Sequence, residues 1–170
     1  MTARMIFTVG HSNHSLEHFL QLLAGAHITA VADVRSKPHS RWSPQFNKHT
    51  LGTALGENNV AYVFLGKELG GRPEDPALLK NGRPDYDAIS RSGSFRSGIE
   101  RITEGAKTHR IALLCAERDP LDCHRFLLVG RHLASHAIPV AHILAGGDVE
   151  AQEETEGRFR ARNPTGDLFG

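Results

Sequence analysis

Five short runs of apolar residues, separated by stretches of helical periodicity, constrain the fold of this 170-residue chain more than any other feature. The runs are rich in Val, Ile, Leu and Ala, and their near-continuous apolarity is typical of strands covered on both faces, as in a parallel sheet. The predicted strands are residues 5–9, 28–34, 60–65, 111–115 and 138–143. Strands that alternate with helices predict a single-domain α/β layered fold, with a largely parallel sheet of about five strands flanked by helices.

Four stretches carry helical periodicity, namely residues 15–26, 48–58, 94–108 and 120–136. The last has the clearest start, because Asp119 is a natural N-cap and Pro120 fits the first helical position. If this stretch is one regular helix, Cys123 lies in the middle of its apolar face, while His124 and Arg125 lie on the opposite face. The sequence therefore predicts that Cys123 belongs to the core.

Length and composition limit the domain organisation and the compartment. We expect one domain over residues 1–145, followed by a polar extension over residues 146–170 that lies on the surface or is disordered. The formal net charge of +1 gives no global attraction to nucleic acid or to anionic membranes. The N-terminal apolar run is too short for a signal peptide, and the chain has only two cysteines. These features predict a cytoplasmic protein with reduced thiols and no membrane partner.

Unusual polar clusters follow four of the predicted strands at their carboxyl ends, while the opposite edge of the sheet receives ordinary turn residues. Ligands of open parallel sheets bind at the carboxyl edge. The residues that follow the strands include His11 and Ser12; Asp33, Arg35, Ser40 and Arg41; Gly70 and Gly71; and Cys115 with Glu117. Long loops at 35–47 and 66–84 are of the kind that covers binding sites. We therefore predict one shared site at this edge, the alternative being that such loops are simply polar.

The stretch from 111 to 133 supplies the most reactive candidates. Cys115 closes a strand at the predicted ligand edge, so it is either a nucleophilic thiolate or a packed strand residue. Glu117 is a candidate general acid or base, as are Asp33 and His11. His124 and Arg125 can lean toward the helix N-terminus, where backbone N–H groups bind anions.

A zinc site built from Cys115, Cys123, His124 and His11 is chemically feasible. However, the cysteine spacing matches no compact zinc knuckle, and the helical pattern turns Cys123 toward the core. The sequence therefore predicts no metal ligands, and it names no cofactor.

The loop after the second strand adds an anion-binding candidate. Asp33 and Arg35 lie two apart on one strand face, so Asp33 orients Arg35 for a phosphate or carboxylate, or the two form a plain salt bridge. The loop then mixes basic residues with Trp42 and Phe46, a combination that can grip a nucleotide. The alternative is that both aromatic residues are core anchors.

Four motifs across residues 8–143, TVGHSNHSLEHFLQLL, VADVRSKPHSRWSPQFNKHTL, AYVFLGKELGG and LLCAERDPLDCHRFLLVGRHL, resemble the domain of unknown function 488 family. The resemblance implies no established activity. Its signature residues include the candidates selected above by their position at the sheet edge. The matching positions are His11, Ser12, Asp33, Arg35, Pro38, Ser40, Arg41, Phe46, Tyr62, Leu69, Gly70, Gly71, Cys115, Glu117, Pro120, Cys123, His124 and Arg125.

Three functional hypotheses follow from these residues. The first is a small enzyme or ligand-binding domain with a cleft for a phosphorylated or nucleotide-like ligand. Its candidate catalytic residues are Cys115, Glu117, Asp33 and His11, and its candidate ligand-binding residues are Ser12, Arg35, Ser40, Arg41, Gly70, Gly71, His124 and Arg125. The second is a non-catalytic nucleic-acid-associated module, which the near-neutral charge disfavours, and the third is a Cys/His metal-binding protein. The sequence defines no oligomeric state.

Overall fold

The computed structural model describes residues 4–164 and contains alternating strands and helices. The strands are β1 (Ile6–Gly10), β2 (Ala30–Asp33), β3 (Ala61–Phe64), β4 (Leu79–Lys80), β5 (Arg83–Pro84), β6 (Ile111–Cys115), β7 (Val140–Ile143) and β8 (Val149–Ala151). The α-helices are α1 (Leu16–Gly25), α2 (Lys48–Glu57), α3 (Gly66–Leu69), α4 (Tyr86–Arg91), α5 (Gly93–Gly105), α6 (Arg131–Ser135) and α7 (Gln152–Arg162). Short 3₁₀ turns at Pro44–Phe46, Pro76–Leu78 and Pro120–Asp122, and a π-helix at Arg125–Gly130, complete the described secondary structure.

The main sheet has the strand order β3-β2-β6-β1-β7-β8 within residues 4–164. β1 lies between β6 and β7 and is parallel to both, and β2 is parallel to β3 and β6. Only β8, which pairs with β7, runs antiparallel among these strands. All five predicted strands are confirmed, and so is the largely parallel α/β fold. Gly10 lies opposite Cys115 in the register, so the ends of β1 and β6 meet at the same edge.

Apolar clusters cover both faces of the sheet. One cluster includes Phe19 of α1 and Leu51 of α2, and the other includes Phe95 and Ile102 of α5 and Leu133 of α6. Each of these helices therefore buries the apolar face that its residue spacing indicated. No helix among residues 4–164 is both long enough and apolar enough to cross a membrane.

The predicted single helix over residues 120–136 is wrong. Asp119 does act as a cap, since its side chain accepts a hydrogen bond from Leu121 N, but it begins a 3₁₀ turn that ends at Asp122. Cys123 then adopts an extended conformation, with φ −134° and ψ 142°, before the π-helix begins at Arg125. Cys123 therefore does not lie on the apolar face of a helix, because no regular helix runs through it.

The region predicted as a polar extension is largely part of the folded unit. β8 adds an edge strand to the sheet, and α7 packs beside it. Arg158 of α7 forms ion pairs with Glu150 of β8 and with Asp119, at 2.8 and 3.1 Å. Apart from Phe159, which packs on Phe126, mostly polar contacts hold this helix, which explains why its sequence reads as an extension. Residues 165–170 of the predicted extension lie outside the described part of the chain.

Candidate functional site

A cleft of about 340 Å³ opens at the carboxyl edge of the sheet. Seven of the residues selected from the sequence line it: His11, Arg35, Ser40, Gly71, Cys115, Glu117 and His124. The remaining lining side chains include Lys37, His39, Arg72, Tyr86, Asp122 and Cys123. The structure therefore brings together residues from loops that are more than 100 positions apart in the chain, as the sheet-edge argument expects.

Backbone hydrogen bonds join the loop after β1 to the loop after β6. His11 N donates to Cys115 O at 3.0 Å, and Ser12 N donates to Ala116 O at 2.9 Å. The two loops approach so closely that a Cβ on Gly10 would lie 1.7 Å from Glu117 O, which no side chain can tolerate. This contact fixes Cys115 and Glu117 against the end of the neighbouring strand.

Two sulfur atoms and one imidazole nitrogen converge at the floor of the cleft. Cys115 Sγ lies 3.5 Å from His124 Nδ1, and Cys123 Sγ lies 3.9 Å from the same nitrogen. All three atoms lie within 4.8 Å of one another. The extended conformation of Cys123 makes this possible, because it turns the Cys123 side chain back toward the end of β6.

The cluster separates the acidities of its two thiols. The hydrogen bond with Cys123, supported by His124 and Glu117, holds the pKa of Cys115 well below its usual range although burial opposes this. Burial raises the pKa of Cys123, and the neighbouring Cys115 raises it further. Cys115 is therefore the more acidic of the two thiols and the one that more readily forms a thiolate.

His124 is held in one orientation. Its Nε2 lies 3.0 Å from Val34 O, so this nitrogen carries a proton and donates it, which leaves Nδ1 facing the sulfurs. Gly71 packs on the ring, since a Cβ there would lie 2.8 Å from His124 Cγ. Burial disfavours protonation of the ring, but the hydrogen bond to Cys115 and the charge of that thiolate raise the pKa of His124 overall.

Glu117 and His11 flank the cluster. Glu117 Oε2 lies 3.2 Å from Cys115 Sγ, and burial, together with the nearby Cys115, raises the pKa of this carboxyl. His11 stacks on Phe46 with 4.6 Å between ring centroids, and its Nδ1 lies 2.8 Å from Ser12 O. Burial lowers the pKa of His11, so its ring is neutral at neutral pH.

Asp33 orients Arg35 rather than lining the cleft. The fully buried carboxylate accepts hydrogen bonds from Arg35 Nε and Nη2 at 2.9 and 2.8 Å. Tyr62 OH donates to Asp33 Oδ2 at 2.6 Å, a contact that the loop-by-loop sequence argument missed. Arg35 lines the cleft, and within residues 4–164 its Nη1 is not among the buried nitrogen atoms without a partner, so this end of the guanidinium is accessible to a ligand.

Arg125 does not lie in the cleft, where we expected it to bind an anion. Its side chain is fully buried, and its guanidinium donates to Thr8 Oγ1 at 2.8 Å and to the carbonyl oxygens of Glu117 and Arg118 at 3.3 and 3.2 Å. It therefore clamps the loop after β6 to β1. Five of the predicted site residues are absent from the cleft lining within the described part of the chain: Ser12, Asp33, Arg41, Gly70 and Arg125.

The predicted site residues did not include six of the ionisable or sulfur-bearing side chains that line the cleft: Lys37, His39, Arg72, Tyr86, Asp122 and Cys123. Cys123 had a usable signal, because it is one of only two cysteines and directly precedes a histidine. Arg72 and Tyr86 had a weaker one, since both lie in or just after the long loop predicted to cover the site. Their convergence depends on how that loop folds, which no local pattern specifies.

The fold and the cleft define a class: an α/β layered protein with a polar, sulfur-containing site at the carboxyl edge of its sheet. Within that class, residues 15–131 match the family described as Domain of unknown function DUF488, and the chain belongs to this family. No curated protein and no solved structure matches the chain significantly.

Proposed function

We propose that the cleft is the active site of an enzyme that acts on a small phosphorylated or nucleotide-like ligand. The observation that carries this proposal is the juxtaposition of cationic side chains and reactive groups in one cleft. Convergent polar groups in a concave site are the usual mark of an active site.

Three cations supply the anion-binding part of the proposal. Arg35 presents Nη1 from a position that Asp33 fixes, and Lys37 and Arg72 lie beside it on exposed parts of the lining. A guanidinium held by a carboxylate keeps its direction while it binds a second anion, which favours phosphate or carboxylate oxygens.

The reactive part of the proposal is the sulfur cluster with Glu117. Cys115 reaches the cleft in a position suited to a nucleophile or a metal ligand, and both roles require the thiolate. Glu117 lies next to this sulfur, so its carboxyl can exchange a proton with a ligand bound there.

Trp42 supports a nucleotide-like ligand rather than a bare phosphate. The sequence left open that Trp42 is a core anchor, but its side chain is 82% exposed, while Phe46 is fully buried. Arg41 stacks on the Trp42 ring at 4.8 Å, and Trp42 N donates to Ser40 Oγ on the cleft wall. An exposed aromatic ring beside a phosphate site can stack on a base.

Binding of inorganic phosphate and of a nucleoside monophosphate, measured by calorimetry and by thermal melting, tests the proposal. We expect the nucleotide to raise the melting temperature of the wild type, because a ligand that binds only the folded state stabilises it. Arg72→Ala should weaken binding about tenfold without lowering stability, since Arg72 is exposed.

Arg101→Ala, an exposed change on α5 away from the cleft, is the matched control and should bind as the wild type does. If neither anion binds, or if Arg72→Ala and Arg101→Ala behave alike, the proposed cleft function is wrong.

A further inference from the structure

We propose that Cys115, Cys123 and His124 bind one thiophilic divalent metal ion, of which zinc is the best chemical fit, at the floor of the cleft. The inference deepens the proposed function by naming the group at its centre. The proposed metal site depends on the geometry of Cys115, Cys123 and His124. It does not depend on the identity of the phosphorylated or nucleotide-like molecule.

The spacing of the three donor atoms matches the coordination shell of zinc. Zn–S bonds of about 2.3 Å and Zn–N bonds of about 2.0 Å, arranged as a tetrahedron, place neighbouring donors roughly 3.5–3.8 Å apart. The two sulfur-to-nitrogen distances are 3.5 and 3.9 Å, and all three atoms lie within 4.8 Å of one another. An ion can therefore enter with small side-chain adjustments.

His124 is prepared as a ligand by its surroundings. Metal-bound histidines almost always donate their second ring nitrogen to a carbonyl or carboxylate, which fixes the tautomer and the ring direction. Here Nε2 lies 3.0 Å from Val34 O, and Gly71 packs against the opposite part of the ring. In the neutral ring, Nδ1 then presents its lone pair toward the two sulfurs.

The charges of the cluster also suit a divalent ion. If both thiols lose their protons, two buried thiolates repel each other, and a bound 2+ ion would neutralise both. Cys115 and Cys123 are only 4% and 2% exposed, so solvent gives them little screening. Arg125 N donates to Cys123 Sγ at 3.4 Å, the kind of backbone contact that supports a sulfur ligand.

The fourth coordination position faces the cleft. Cys115, Cys123 and His124 all line the cleft, and Glu117 Oε2 lies 3.2 Å from Cys115 Sγ. Glu117 can occupy that position or hold a metal-bound water. Three protein ligands with one open position are the pattern of a catalytic rather than a structural zinc site.

Metal binding to the untagged, full-length chain in its reduced form tests the inference. After treatment with a chelator, the protein is titrated with cobalt(II) and with zinc(II), and the bound metal is quantified by elemental analysis. We expect one metal per chain, thiolate-to-cobalt charge-transfer absorption and the visible bands of tetrahedral cobalt. X-ray absorption of the zinc form should show two sulfur neighbours.

Variants identify the ligands. Cys115→Ser, Cys123→Ser and His124→Gln should each weaken binding by more than the roughly 10–100-fold that loss of an outer-shell partner costs. Glu117→Gln should retain one metal per chain. His109→Gln, an exposed histidine that precedes β6 at the opposite edge of the sheet, is the matched control and should bind metal as the wild type does. Unchanged binding by the three ligand variants would overturn the proposal.

A measurement on the wild type guards against variants that fail to fold. Bound zinc should slow alkylation of both thiols, and a chelator should restore the rate. If the reduced wild type binds neither metal, the metal site does not exist. The same conclusion follows if zinc does not change the alkylation rate of either thiol. Because phosphate and nucleotide binding can be measured on the metal-free protein with Arg72→Ala, failure of the metal site and failure of the anion cleft give different results.

Discussion

Two buried histidines, His124 at the cleft and His142 on β7, show how differently this fold treats the same side chain. Their side chains are 9% and 0% exposed. His142 uses both ring nitrogens on oxygen partners, with Thr8 Oγ1 at 2.6 Å and Gln152 Oε1 at 2.7 Å. His124 uses one nitrogen on Val34 O and turns the other toward two sulfurs.

The difference separates a histidine whose two ring nitrogens both pair with oxygen atoms from one whose second nitrogen faces two sulfurs. A buried network whose members all satisfy one another rigidifies the core. In the cluster of Cys115, Cys123 and His124, the two sulfurs and Nδ1 converge at one point that opens into the cleft. These atoms can still bind a ligand. Burial alone does not distinguish the two histidines, whereas their partners do.

Arg125 lies between the two regions, and removing it tests whether they depend on a common support. Arg125→Ala should lower the free energy of unfolding by about 3 kcal/mol or more, because it leaves a cavity and strips partners from Thr8 and two carbonyl groups. Urea unfolding measures this loss. Arg101→Ala should change stability by less than about 0.5 kcal/mol. Equal effects of the two substitutions would mean that Arg125 supports neither region.

His142, which is fully buried, should make the stability of the protein sensitive to acid. Burial lowers the pKa of His142 to about 4, from an ordinary value of 6.5. The unfolded chain therefore binds this proton at a higher pH than the folded chain, so stability falls as the pH drops from 6.5 toward 4. The shift corresponds to a loss of about 3 kcal/mol from this group.

Urea unfolding between pH 7 and pH 4 should show a shallower acid decline for His142→Gln than for the wild type. His109→Gln should decline as the wild type does. Parallel curves for all three proteins would show that His142 has the same pKa in the folded and unfolded chain. Its hydrogen-bond partners would then not keep the ring neutral, and the contrast with His124 would fail.

Gly71→Ala tests the other side of the comparison, because it changes the support of His124 and leaves all three proposed ligands in place. The added Cβ would lie 2.8 Å from His124 Cγ, so the ring must shift. We expect cobalt(II) affinity to fall by about 10–100-fold, as for loss of an outer-shell contact. Gly93→Ala, where a Cβ meets nothing within 4 Å, is the matched control. Wild-type affinity in Gly71→Ala would show that the ring orientation is not needed.

The smallest effect on stability is expected at the rim of the cleft. Trp42→Ala should change the free energy of unfolding by less than about 0.5 kcal/mol, because the side chain is 82% exposed. The same substitution should weaken nucleotide binding and leave phosphate binding unchanged, as calorimetry can show. A large loss of stability would instead place Trp42 with His142 among the structural residues.

The sequence predicted most of the sheet because each central strand is apolar on both faces, a pattern that few other structures produce. It failed over residues 120–136, where Asp119 and Pro120 are equally good starts for a 3₁₀ turn and for an α-helix. Helical periodicity cannot detect one extended residue within an otherwise regular pattern. It also missed β8 and α7, which polar contacts hold, such as the ion pair between Arg158 and Glu150.

The candidate site was predictable in position and less so in its details. The carboxyl edge of a parallel sheet collects the loops, so His11, Arg35, Cys115 and Glu117 could be grouped from the strand pattern alone. The sequence could not show that Arg125 turns inward, because that depends on the carbonyl oxygens that the loop after β6 presents. Nor could it show that Cys123 returns to Cys115.

The placement of β1 between β6 and β7 has a consequence for how the molecule is made. β2 and β3 are about 30 residues apart and can pair early, whereas Gly10 meets its partner Cys115 only after 105 further positions. Such distant pairing slows folding, because loop closure must come before the contacts that reward it. On the ribosome, the centre of the sheet stays open until β6 has emerged, and its apolar strands need protection from other chains during that interval.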